Sequence, residues 1–211
     1  MNTSLAEKKC IKKYAKRYPR RLSDHANIPS PTSDIIFASK RSMEVIMDNN
    51  DILIRTRYAL DLKNREMIEI FKLGGITVKP EDMPKLLTKS LEKDEEVPAD
   101  YDQIKVNNKT LEAFFNGLIT HKRGPMPKKE GQAAPVQEKP DHMNNMVLKK
   151  LKVACQLTAE EMLDVLDDGG IAVSKGELGA IMRKPGHRNY KECGDNFARK
   201  FLKGLSVRYR G

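Results

Sequence analysis

The strongest constraint on this chain is that it repeats itself, because a duplication sets the architecture before any residue is given a role. Laid over one another without gaps, NNDILIRTRYALDLKNREMIEIFKLGGITV (residues 49–78) and NNMVLKKLKVACQLTAEEMLDVLDDGGIAV (144–173) match at a constant offset of 95. Asn49-Asn50 falls on Asn144-Asn145, Leu53 on Leu148, Ala59 on Ala154, Leu62 on Leu157 and Glu66-Met67 on Glu161-Met162. Gly74-Gly75-Ile76 likewise falls on Gly169-Gly170-Ile171. A second pair, FFNGLITHKRG (114–124) and FLKGLSVRYRG (201–211), matches at an offset of 87, so the first copy carries eight extra residues of loop. The duplication divides the chain into repeat 1 (47–124), a linker (125–142) and repeat 2 (143–211). The stretch GPMPKKEGQAAPVQEKPDH that joins them has four prolines and two glycines and no apolar periodicity, the composition of an exposed connection.

Both copies read as helical. Ile52, Leu53, Thr56, Ala59 and Leu60 recur at helical spacing, as do Val147, Leu148, Leu151, Ala154 and Cys155. A second helix carries Met67, Ile70 and Phe71, or Met162, Val165 and Leu166. Thr158 with Glu161, and Ser174 with Glu177, have the spacing of capping boxes. The Asn-Asn pairs read as helix N-caps. Each Gly-Gly pair ends a helix, since glycine accepts the left-handed conformation there. The phenylalanine-rich segments make a closing amphipathic helix. The expected fold is all-α, two tandem repeats of about four short helices each, with a helix-turn-helix-like core.

The formal charge of +10 on 211 residues is unevenly spread. Residues 1–46 hold ten Lys/Arg against four Asp/Glu, and residues 183–211 hold nine against two, while 47–182 sum to −3. Basic ends point to an anionic partner. Residues 1–46 mix Lys/Arg clusters with Pro and Ser and read as a basic, disordered leader. The alternative is that translation starts at Met43 or Met47. Three distant cysteines (Cys10, Cys155, Cys193) make a disulfide framework a poor reading and fit a reducing cytoplasm. No apolar run is long enough for a membrane span.

The candidate binding residues lie mainly in repeat 2. On a helical wheel, Phe197, Phe201, Leu202 and Leu205 gather on one side and Arg199, Lys200 and Lys203 fall on the other. Arg183, Lys184, His187, Arg188 and Lys191 precede this helix, and Arg208 and Arg210 end it. Tyr190 and Tyr209 are interleaved, and aromatic rings stack on unpaired bases. Lys175 opens the second helix of a helix-turn-helix-like pair, an arrangement that serves groove reading, protein interaction or structure alone. The matching segment of repeat 1, Pro80-Glu81-Asp82-Met83-Pro84, is acidic and interrupted by proline. Lys122 and Arg123, beside His121, form a smaller basic addition. The bland reading of these charges is a solvated face on a core helix.

Other chemistries find no support. His187 and Cys193 have no second ligand pair at close spacing, so no metal is expected. The Gly-Gly pairs lack the following Lys-Ser/Thr of a phosphate loop. No nucleophile stands beside a base, so an enzyme is not expected, nor is a cofactor.

The segments NNDILIRTRYALDL, EMIEIFKLGGITV and FFNGLITHKRG in repeat 1, with NNMVLKKLKVA, RKPGHRNYKECGDNF and FLKGLSVRYRG in repeat 2, resemble the YehS-like family of small bacterial proteins. That family is a tandemly repeated domain of unknown function. The resemblance covers 47–211 and implies a bacterial cytoplasmic protein of two repeated helical domains, with no established activity. The expected function is nucleic-acid binding, RNA or DNA, through the basic face of repeat 2. The alternative is a protein-interaction module that meets an acidic partner.

Overall fold

Capping chemistry and glycine placement set several of the helix boundaries. In the computed structural model, residues 47–91, 95–125 and 140–211 are described. The leader (1–46) and most of the linker lie outside them. Repeat 1 folds as α1 (Asn49–Ala59), α2 (Asn64–Leu73), a 3-10 turn (Pro80–Asp82), α3 (Met83–Leu86) and α4 (Asn108–Arg123). Repeat 2 folds as α5 (Met143–Ala154), α6 (Ala159–Asp168), α7 (Lys175–Met182) and α8 (Asp195–Arg210). The described residues contain eight α-helices and no strand.

Thr158 and Glu161 exchange reciprocal bonds at the start of α6, and Ser174 and Glu177 do so at α7. The Gly-Gly pairs divide their labour. Gly75 and Gly170 take the left-handed conformation, at φ of 87° and 84°, and let Ile76 and Ile171 donate back to Phe71 and Leu166. Gly74 and Gly169 remain right-handed and serve a different purpose, close approach. A Cβ on Gly74 would stand 2.1 Å from the carbonyl oxygen of Ala113, and one on Gly117 would stand 1.9 Å from that of Ile70. Repeat 2 shows the same crossing, with Gly169 against Lys200 and Gly204 against Val165. The glycine shared by FFNGL and FLKGL is therefore where the closing helix touches the second helix backbone to backbone.

The Asn-Asn pairs do not cap their helices, in contrast to the sequence reading. Asp48 caps α1, accepting from the Asp51 N–H, and both asparagines lie inside the helix. Asn50 is buried and donates to the carbonyls of Leu86 and Ile104 at 3.0 and 2.9 Å while accepting from the Val106 N–H at 2.9 Å. Asn145 makes the equivalent bonds to Ile181, Lys191 and Cys193. A buried amide is costly unless its donors and acceptor are satisfied, and here the set closes. Each clamp holds the loop before the closing helix against the first helix of the same repeat.

The hydrophobic faces are covered across the repeats. α2 packs on α4 and α6 on α8 within a repeat, but α4 also packs on α5 and α1 on α8. Each repeat's first helix thus lies against the other repeat's last helix. Phe71, Phe114 and Phe115 pack in tilted and edge-to-face contacts in repeat 1, with ring centroids 4.9 and 5.5 Å apart, and Leu166, Phe201 and Leu202 take their places in repeat 2. All the described residues belong to one compact unit, Glu44–Gly211.

Candidate nucleic-acid interface

The loop from α7 to α8 is short, basic and fastened at both ends. Asn145 grips it at Ile181 and at Lys191. Lys149 donates to the Arg183 carbonyl at 2.7 Å and to Asp141, whose other oxygen accepts from the Tyr190 hydroxyl at 2.9 Å. Gly186, at φ 87°, turns the chain between these fastenings. Lys184, His187, Arg188 and Lys191 are all exposed along it, and residues 183–191 contain no acid. The corresponding stretch of repeat 1, 87–103, holds six acidic residues against two lysines. Duplicated scaffolds therefore present loops of opposite charge.

α8 sorts its cations more finely than the helical wheel does. It runs antiparallel to α6, and Lys200, Gly204 and Arg208 succeed one another along that contact. Lys200 lies over the C-terminal end of α6, its ammonium 3.6 Å from the position of a Cβ on Gly170, where a cation complements the helix dipole. Arg208 donates to Glu161 at 2.7 Å. The Thr158 N–H first, and Arg208 after it, hold the Glu161 carboxyl below the usual range. Arg199 is half-buried and Lys203 exposed. The wheel's common face of Arg199, Lys200 and Lys203 is thus divided, because the close approach at Gly204 turns Lys200 toward α6.

The remaining candidates have partners within the fold or lie elsewhere. Arg210 places its guanidinium 4.2 Å from the Tyr58 ring centroid, donates to the Tyr58 carbonyl at 3.1 Å and lies 3.5 Å from Asp61, so it joins the repeats. Lys175 pairs with Glu160 at 3.1 Å. Tyr190 carries Lys149 over its ring at 5.7 Å, and burial raises its pKa. Tyr209 is paired with the Cys155 thiol, and burial pushes both groups up. Arg183 reaches the Asn189 carbonyl at 3.4 Å. Lys122 and Arg123 stand at the C-terminal end of α4. The residues brought together on one exposed stretch are Lys184, His187, Arg188 and Lys191. Sequence reasoning missed Lys149 and Asp141, which set the loop's position; their role shows only in three dimensions.

Among the described residues no three His, Cys, Asp or Glu side chains gather as a metal site, and no helix is long and apolar enough to cross a membrane. The family model described as "Protein of unknown function (DUF1456)" matches residues 49–124 and again 144–211. The "Uncharacterized protein YehS" of Escherichia coli (strain K12) is 38% identical over 163 residues, 77% of this chain and 96% of that protein. No solved structure matches. Two matches of one family model, on the two segments that the fold also pairs, make this chain a member of the DUF1456 family.

Proposed function

We propose that the protein is non-enzymatic and binds nucleic acid, RNA or DNA, through the loop 183–191 with Lys203 on the exposed side of α8. The observation that carries this reading is the loop itself. It offers Lys184, His187, Arg188 and Lys191 to solvent, has no intervening carboxylate, and is held in place by buried bonds. Cations arranged this way neutralise phosphates and release counterions, and fixing the loop beforehand lowers the ordering cost of binding. The acidic counterpart in repeat 1 repels the same polymer and so sets which side it approaches.

The test is a titration of labelled single-stranded RNA, single-stranded DNA and duplex DNA over a range of salt. Affinity falls steeply with salt, and the triple change Lys184→Glu, Arg188→Glu and Lys191→Glu removes it. Arg210→Ala, which loosens the join between repeats, leaves the affinity of the folded protein in place. Failure of all three polymers to bind at low salt, or binding unchanged in the triple variant, overturns the reading.

A further inference from the structure

The exchange of helices places Arg210 of α8 on the end of α1, and it places Arg123 of α4 on the end of α5. The two arginines are equivalent in the duplication, at an offset of 87, and so are the ends they meet, at an offset of 95. At the first end every cation has a partner. Arg210 stacks on Tyr58 and pairs with Asp61, and Arg57 donates to Asn64 at 2.9 Å. At the second end Tyr58 is replaced by Val153, Asp61 by Gln156 and Asn64 by Ala159, while Arg57 is replaced by another cation, Lys152. Three partners are gone and the positive charge is kept.

What takes their place is space. A cleft of about 350 Å³ opens there, lined by Arg123, Lys152, Val153, Gln156 and Leu157, with no carboxylate among them. The side chains of Arg123 and Lys152 make no hydrogen bond or ion pair among the described residues. Lys152 has a small influence on Glu160, whose carboxylate already lies 3.1 Å from Lys175. Lys122 adds a third cation close enough to act on Cys155. Cations at helix C-terminal ends also complement the helix dipoles, but that holds equally at the first end and does not account for the lost partners.

We infer that this cleft between the C-terminal ends of α4 and α5 binds a phosphate group. Arg123 supplies a planar fork of donors, Lys152 a point charge and Gln156 an amide donor, which together match the oxygens of a phosphate ester. The group comes from a free phosphate compound or from a nucleic-acid backbone; only the second source rests on the function proposed above.

The experiment follows the Arg123 Nε–H and Gln156 side-chain amide signals of the full chain by nuclear magnetic resonance. Pyrophosphate and a short single-stranded oligonucleotide are titrated in separately at low salt. Pyrophosphate is expected to shift both signals saturably and to leave Arg210 unmoved. The pair Arg123→Gln and Lys152→Gln weakens that response by at least about tenfold, the scale of one lost charge-assisted contact. The pair Val153→Tyr and Gln156→Asp restores two of the three partners found at the end of α1, fills the cleft and abolishes the Arg123 response. Saturable movement with the oligonucleotide as well identifies a backbone as the source, and movement with pyrophosphate alone identifies a free phosphate compound. No saturable shift from either probe, a Gln156 shift of unchanged affinity in the first variant, or an Arg123 shift that persists in the second overturns the inference. If the oligonucleotide fails to bind anywhere while pyrophosphate still moves both signals, this inference stands and the nucleic-acid reading falls.

Discussion

A Cβ on Gly204 would stand 1.7 Å from the carbonyl oxygen of Val165, so α8 meets α6 through bare backbone. Gly204→Ala forces the helices apart and is expected to lower stability by about 3 kcal/mol, at the high end of overpacking costs. Gly117→Ala does the same in repeat 1, where the corresponding distance to Ile70 is 1.9 Å. Gly179, inside α7, meets nothing within 4 Å, and Gly179→Ala is expected to stabilise by about 0.5–1 kcal/mol. Urea unfolding of the three variants measures both signs.

The second prediction concerns the buried amide. Asn145→Ala leaves the Ile181 and Lys191 carbonyls and the Cys193 N–H without their partner, and the amide makes three bonds at 2.8–2.9 Å. The expected loss is about 3 kcal/mol or more, since unpaired buried groups carry the full desolvation penalty. Hydrogen exchange at Cys193 rises with it. Asn145→Asp restores only the acceptor and buries a charge, so it is no rescue.

These asparagines also show what the sequence could and could not reveal. Their recurrence at a constant offset was legible, as were the eight helices, the capping boxes at Thr158 and Ser174 and the turns at Gly75 and Gly170. Their role was not, because an N-cap and a buried clamp both place Asn at the start of a helix, and Asp48 just upstream takes the cap. Periodicity names the buried face of α1 but not its cover, so the exchange with α8 stayed hidden. On α8 the charges of Lys200, Arg208 and Arg210 were plain from the sequence. That they serve the α6 dipole, Glu161 and Tyr58 depended on a crossing point at Gly204 that charge patterning does not contain.

Alkaline pH gives a third outcome. Burial, with a smaller effect of Asp195, pushes the Cys193 thiol from 9.0 up to about 12. The folded protein therefore keeps a proton that the unfolded chain releases above pH 9. The stability linked to that proton is fully present below pH 9 and is lost as pH rises from 9 toward 12. Val106 occupies the equivalent place in repeat 1, so Cys193→Val should fold and escape this loss. Comparing the two proteins by urea unfolding at pH 8, 9 and 10 reads the difference. In the native protein at pH 8 the thiol should also resist alkylation.

Half of the chain offers a fourth. Repeat 2 alone, 143–211, loses the cover that α4 gives α5 and that α1 gives α8. Two copies can supply it to each other, α5 of one against α8 of its mate, in a two-fold arrangement. Sedimentation velocity is expected to give twice the mass of the fragment, with helical content retained. A stable folded monomer would contradict this expectation.

That exchange also bears on how the protein is made. Tyr58 and Arg210 are 152 residues apart, and Met47 donates to Asp195 across 148. On the ribosome α1 emerges well before its cover, so its apolar side, with Ile52 and Leu53, waits until α8 has been made. A chain that stops short of α8 leaves that side open to chaperones and proteases.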